Sequence, residues 1–401
     1  MDRLGPFEPR PALAVAVSGG ADSTALALLT RDWVRAHDGS VLALVVDHGL
    51  RPASGTEAEL TVDRLHRLGI PARLLTMSNL PRGTALAERA RIARYGILAA
   101  ACSRAGILHL LLGHHLGDQA ETLAMRVLRG SQTAGLAGMA ALRETPRLRL
   151  LRPLLGTDPH DLRRLLSEQG IAWVEDPSNQ NLLTMRARMR QGLAAGRLAE
   201  TGIRQALIQA GRLRHHQEAA TAVELAARVT IRPEGFAILS PGRIGPGALS
   251  ALIQTISGAP YPPHPDSVAD LAAQPRPATV GGVRLLAAGR FGAGWLLIRE
   301  EAAIGAPVPA TDGAIWDGRF RLTGGGFPGA TIGKLGGDAA RFRRTSNLPS
   351  AVLRTLPAVR FGEILASVPH LRYEDGPNKT AATVLFSPSR PAASACFVTA
   401  T

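Results

Sequence analysis

The chain has 401 residues, 45% of them hydrophobic. That is too long for one ordinary domain and apolar enough for two or three cores. Its formal net charge is +14 and only 4% of its residues are aromatic, which suits a polyanionic partner such as nucleic acid but argues against many stacking platforms for bases. Two distant cysteines, Cys102 and Cys396, exclude a disulfide scaffold and a cysteine-based zinc site, and no apolar run nears the ~20 residues that span a bilayer. With no long apolar leader at the N-terminus, the expectation is a cytoplasmic protein without a membrane segment. All but two of the 46 lysines and arginines are arginine, the exceptions being Lys334 and Lys379, so compositional bias accounts for part of the charge.

The first half alternates strand and helix patterns. A strand is predicted over 13–17, a glycine turn over 18–23 and a helix from 24. The β-branched run 41–46 reads as a strand buried on both faces. Helical spacing follows over 56–68, stopped by Gly69, then a strand over 72–76 and a helix over 84–101. A strand over 108–112, a helix over 118–128, a short strand over 148–151 and a helix over 158–169 complete this half. Repeated strand–helix units predict an α/β fold with a doubly wound parallel sheet. Ser18, Asp47 and His114 all fall at or just past strand ends, where such sheets bind ligands. Beyond it, 203–229 reads as helix with a basic break at 212–216, 233–247 as a Pro/Gly-rich stretch, and 248–256 as a short helix. Strands are predicted over 283–287, 294–299 and 315–322, and the last section reads as a small α+β or barrel-like domain. The expected division is 1–200, 201–305 (helical or mixed) and 306–401.

Two segments carry most of the chemistry. In Ser18-Gly19-Gly20-Ala21-Asp22-Ser23, a tight turn at a helix start gathers backbone N–H groups into an anion cradle. Gly19 and Gly20 leave room for a phosphate, and Ser18 and Ser23 add hydroxyls. Asp22 beside a phosphate calls for a divalent cation between them, which predicts a metal-bound nucleotide held without a Walker lysine. The second segment is Gly113-His114-His115-Leu116-Gly117-Asp118-Gln119-Ala120-Glu121-Thr122. Asp118 and Glu121 share a helix face and, with His114, offer a metal ligand, an acceptor for an amine and a general base. Zinc is the rival reading, weakened by the absence of HExxH; simple stabilisation of a helix start is the plainer one. Arg91 and Arg94 lie three apart on a helix and suit phosphates, or else form a solvated face. Asp47-His48-Gly49 closes the second strand, as a ribose contact or as a polar turn. The glycine-punctuated loop 129–139 suits a phosphate or an anticodon backbone, and the segment Leu151-Arg152-Pro153 follows it; the arginines Arg186, Arg188 and Arg190 after Trp173-Val174-Glu175-Asp176 fit phosphate contacts or else an ordinary basic surface.

SGGADS resembles the signature of the PP-loop ATP pyrophosphatases. With DHGLR, ARIARY, GHHLGDQAET, RGSQTAGLAGM, LRPLL and WVEDPSN in this order, residues 14–190 resemble the tRNA(Ile)-lysidine synthases. The resemblance implies a PP-loop fold of the adenine nucleotide α-hydrolase type and a carbon–nitrogen ligase that uses ATP and Mg²⁺. Its partners would be isoleucine tRNA with a CAU anticodon and free L-lysine; a homodimer is compatible with it. The wobble cytidine would be adenylated at its C2 oxygen, and lysine would then displace AMP to give lysidine, changing codon reading from AUG to AUA. It further implies that Ser18, Gly19, Gly20, Ala21, Asp22, Ser23 and Asp47 bind ATP, with Asp22 on Mg²⁺, that Arg91, Arg94 and His114 steady the adenylated intermediate, and that Asp118, Glu121 and Arg186 receive lysine, Asp118 acting in catalysis. Gly117 stands where many members have an acid, and Gln132 where a glycine is frequent. The alternatives are a 2-thiocytidine synthase of the same superfamily, which Cys102 and Cys396 do not equip for sulfur transfer, and a non-catalytic nucleotide- or RNA-binding module.

Overall fold

The computed structural model describes residues 1–49, 54–77, 86–128, 133–145, 147–174, 197–375 and 382–399. These pack as two units, Met1–His216 with Ala395–Thr401, and Gln217–Ser394.

The first unit is built on β1 (Ala12–Val17), α1 (Ala21–Arg35), β2 (Ser40–Asp47), α2 (Ser54–Arg67), β3 (Ala72–Thr76), α3 (Leu86–Arg104), β4 (His109–Leu112) and α4 (Leu116–Leu128). The short helix α5 (Thr133–Leu136), β5 (Leu142–Glu144), β6 (Arg149–Leu151) and α6 (Pro159–Glu168) follow. The strand order is β3-β2-β1-β4-β6-β5, parallel except for the pairing of β5 with β6. Alternate residues of β1 enter opposite cores. Leu13, Val15 and Val17 cluster with Leu26 of α1, Leu65 of α2 and Leu162 of α6. Ala14 clusters with Leu44, Leu110 and the α3 residues Leu98 and Cys102. Full burial of a Val or Leu contributes about 1.5–3 kcal/mol, whereas strand propensity spans only about 1 kcal/mol, so cover on both faces decides that this run is a central strand. The chain crosses from β3 over the sheet to β4, and the reversal of strand order lies between β1 and β4. A crevice opens there, past the strand ends, and both chemistry-bearing segments follow these two strands.

The helix α7 (Arg197–Arg228) runs straight through the basic stretch 212–216, where a break is expected from sequence. Arginine is a good helix former, and the residues in question have partners: the Arg214 guanidinium lies 4.7 Å above the Phe397 ring and His215 Nδ1 is 2.9 Å from the Phe397 carbonyl. The second unit contains a five-stranded antiparallel sheet of β7 (Val229–Arg232), β8 (Phe236–Leu239), β9 (Ala278–Val280), β10 (Val283–Ala287) and β11 (Trp295–Arg299), covered by α8 (Pro246–Ser257) and α9 (Pro265–Ala273). Residues 201–305 therefore hold a sheet as well as helices. The β7–β8 hairpin is hidden in the sequence because its turn lies in the Pro/Gly-rich stretch, at Gly235 with φ +80°. The remaining strands form a five-stranded and a three-stranded antiparallel sheet. The strand-like stretch expected over 315–322 is a hairpin of Ile315–Trp316 and Phe320–Thr323, turned by Asp317 and Gly318 at φ +51° and +65°. Among the described residues no helix is long and apolar enough to cross a membrane.

Candidate active site

β1 ends at Val17, and the chain turns at Gly19, whose φ is +87°, into α1 with Gly20 as its N-cap. A Cβ at Gly19 would lie 2.6 Å from Thr61 Oγ1 of α2, so both the turn and the close approach require glycine. The loop is held from two further sides. Val174 N–H donates to Gly19 O at 2.9 Å. Ser23 Oγ donates to Gly20 O at 3.1 Å and accepts from Ser18 N–H at 3.1 Å. The sequence suggests Ser23 as a phosphate donor; in the structure its hydroxyl staples the loop. Gly20, Asp22 and Ser23 line the crevice at the start of α1, where the first N–H groups of a helix have no partner within it.

Gly113, at the end of β4, packs against this helix start: a Cβ there would lie 3.1 Å from Ser23 Cα and 3.2 Å from Ser23 N. That contact brings the second segment beside the first. A cleft of about 350 Å³ results, lined by Ser18, Gly20, Asp22, Asp47, Arg94 and His114 among others, a volume in the range of small-molecule sites. Asp47 Oδ1 accepts from Ser54 Oγ at 2.6 Å and Gly49 N–H at 2.9 Å, and these bonds hold its carboxyl below the usual range. His48 Nδ1 lies 3.2 Å from Met77 Sδ, and burial beside Arg94 lowers its pKa.

His114 is the most perturbed group of the cleft. Burial foremost, then the neighbouring Arg152 guanidinium, push its pKa down to about 4 against the opposing pull of Asp118. The imidazole is neutral at physiological pH, and its buried Nδ1 has no partner among the described residues. Arg152 is 6% exposed, donates to Ala140 O at 2.9 Å and bonds the Tyr95 side chain. Arg91 and Arg94 lie 5.5 and 5.9 Å from the Tyr95 ring centre. Arg94 reaches the cleft, whereas Arg91 is exposed.

Asp118 lies in the first turn of α4, where its Oδ2 accepts the His115 N–H at 3.0 Å in the manner of a capping box. The helix-start reading of Asp118 thus holds. Glu121, one turn on, is 4% exposed. Asp22 and Asp118 face one group: His115 Nε2 lies 3.6 Å from Asp22 Oδ2 and 3.7 Å from Asp118 Oδ2. Asp22 Oδ1 is buried without a partner among the described residues. A single orphaned carboxylate oxygen beside a phosphate cradle fits Mg²⁺, which takes one or two carboxylates and completes its shell with phosphate and water. Among the described residues no group of three or more His, Cys, Asp or Glu is arranged to hold a metal, so the zinc reading has no ligand set there.

The last part of the glycine-punctuated loop is pinned to α4. Gln119 clamps Met139 by two bonds, 3.0 Å to its carbonyl and 2.7 Å from its N–H, and Arg126 donates to Gly138 O at 2.8 Å. Arg51, Gln132, Arg186, Arg188 and Arg190 lie outside the described residues. His115, Thr61 and Gln119 are participants to which the sequence reading gives no role of their own, and Arg152 and Val174 stand in segments that it quotes without assigning them one. His115 and Gln119 stand inside the second motif, but which way their side chains turn is a tertiary matter.

A family model described as a PP-loop domain matches residues 3–196. A tRNA(Ile)-lysidine synthase of Ruegeria pomeroyi is 35% identical over 381 residues, covering 90% of this chain and 89% of the relative. One of Caulobacter vibrioides is 34% identical over 388 residues, covering 93% and 87%. One of Nitratidesulfovibrio vulgaris is 46% identical over 186 residues, covering 45% of this chain and 52% of the relative. The similarity thus runs through both units and includes the segments that build the cleft; the chain belongs to the tRNA(Ile)-lysidine synthase family.

Proposed function

We propose that the cleft binds ATP and the wobble cytidine of isoleucine tRNA with a CAU anticodon, and that free lysine enters beside Asp118. In the first step the cytidine C2 oxygen attacks the α-phosphorus and pyrophosphate leaves. In the second the lysine ε-amine attacks C2 and AMP leaves. The observation that carries this reading is the approach of Asp22 and Asp118 to one imidazole nitrogen, which puts the phosphate cradle and the acidic helix start on one space.

Each residue has a matching task. The loop 18–23 and the N-terminus of α1 hold phosphate oxygens with backbone N–H groups, and Asp47, which lines the cleft, is assigned to the ATP ribose. Mg²⁺, when bound at Asp22, offsets charge on the phosphates. His114, kept neutral by its burial, hydrogen-bonds a phosphoryl oxygen without delivering a proton. Arg94, with Arg91 behind it, offsets the charge that develops on the leaving groups. Asp118 and Glu121 receive the lysine ammonium; one carboxylate takes the proton that the amine loses before attack. Arg186 is assigned to the lysine carboxylate or to RNA. Cys102 gives sulfur transfer no support, since it is buried in the α3 core and burial raises its pKa to about 11.

Incubation with ATP, Mg²⁺, labelled lysine and a panel of tRNAs tests the reading. Label is expected in isoleucine tRNA with a CAU anticodon and in no other. Absence of label from every tRNA rejects it.

A further inference from the structure

We infer that His115 is a positioning residue that ties the two carboxylate sides of the cleft together, and that Gly117 is the residue that admits it. The inference rests on the ligase reading above and adds to it a residue and a spatial requirement.

The tautomer follows from one hydrogen bond. Gly117 N–H donates to His115 Nδ1 at 3.0 Å, so that nitrogen presents its lone pair and the ring proton sits on Nε2. This N–H points between Asp22 Oδ2 at 3.6 Å and Asp118 Oδ2 at 3.7 Å, on a side chain only 12% exposed. Both distances exceed a formed hydrogen bond, and such bonds tighten when a site fills. His115 also donates its own backbone N–H to Asp118 Oδ2. One residue therefore addresses the same carboxylate oxygen through main chain and side chain, while its ring faces the carboxylate of the phosphate loop. An N–H donor between two carboxylates reduces their mutual repulsion and fixes their spacing. Because Nε2 carries the proton, it has no lone pair for a metal.

The ring reaches this position by folding back over its own helix start. A Cβ at residue 117 would lie 2.9 Å from His115 Cε1 and 3.1 Å from Nδ1, closer than carbon atoms pack. Glycine is unfavourable inside a helix, and here it leaves the space that the ring occupies.

The test uses the full chain and four variants: H115Q, which keeps a donor near the Nε2 position; H115L, which keeps bulk without a donor; G117A; and the H115L/G117A double variant. Long-range ¹H–¹⁵N spectra of the unliganded protein are expected to show Nδ1 of His115 unprotonated, a signature lost in G117A. In kinetics, H115L and G117A are each expected to raise the KM for lysine about tenfold, the loss of a charge-assisted hydrogen bond. Pyrophosphate release with ATP and tRNA alone is expected to fall as well, by about threefold, because the same ring N–H faces Asp22. H115Q is expected to bring the lysine KM back to within about threefold of the parent, and the double variant to be no worse than H115L. Protonated Nδ1 in the parent, pyrophosphate release unchanged in H115L, no recovery in H115Q, or additive losses in the double variant would overturn the inference. If the parent protein transfers lysine to no tRNA, the ligase reading fails, and the spectra still decide the pairing of Gly117 with His115.

Discussion

At the scale of single residues, charge placement governs what the cleft does. Asp22 has one carboxylate oxygen toward His115 and the other buried without a partner among the described residues. D22A is therefore expected to lower tRNA-dependent pyrophosphate release about 100-fold with tRNA affinity unchanged by filter binding; a parallel loss of tRNA affinity would point to an RNA-binding role instead. His114 has its folded pKa depressed from 6.5 to about 4. Between those values the folded state binds fewer protons than the unfolded one, so the contribution of this group to stability rises with pH across that window and is level above it. NMR titration of His114 is expected to find it neutral down to about pH 4, and H114Q to flatten the rise in stability between the two values. Arg152 supplies part of the depression, so R152M is expected to move the His114 titration upward in the same experiment.

At the scale of elements, the site depends on how closely β4 and α1 approach. Gly113 is fully committed to that approach, since any Cβ would press on the backbone of Ser23 rather than on a yielding side-chain tip. G113A is expected to destabilise the first unit by about 1–3 kcal/mol, in the range of overpacking, and to weaken ATP binding, read by the denaturant midpoint and by nucleotide titration. An unchanged midpoint would show that the strand end moves freely. The parallel elements were legible because apolar, β-branched runs such as 41–46 read as strands buried on both faces and helical runs such as 56–68 stop at glycine. The hairpin 229–239 was not, because its strands are four residues each, too short to display a period of two against the surrounding prolines and glycines.

At the scale of the whole molecule, the distant segment 395–399 belongs to the first unit. Phe397 is 3% exposed under Arg214, and Val398 O accepts the Ala141 N–H at 3.0 Å, next to the loop clamped on α4. F397A is expected to release this segment and to speed amide hydrogen exchange at Ala141 at least tenfold; unchanged protection there would mean that the segment is held by its backbone alone. Nothing local in 395–399 announces this contact, since its partners lie more than 180 positions earlier in the chain.

The division between what the chain states and what the fold decides is physical. Sequence alone sufficed for the α/β alternation, for the tight turn at Gly19 and Gly20 into a helix, and for the acidic helix start at Asp118, because each rests on backbone conformation and on periodicity within a few residues. Tertiary structure decided that Ser23 staples the loop, that His114 is neutral beside Arg152, and that His115 stands between Asp22 and Asp118. Those outcomes depend on burial and on distances between groups from different strand ends, and only the crossing of the chain from one side of β1 to the other brings such groups together.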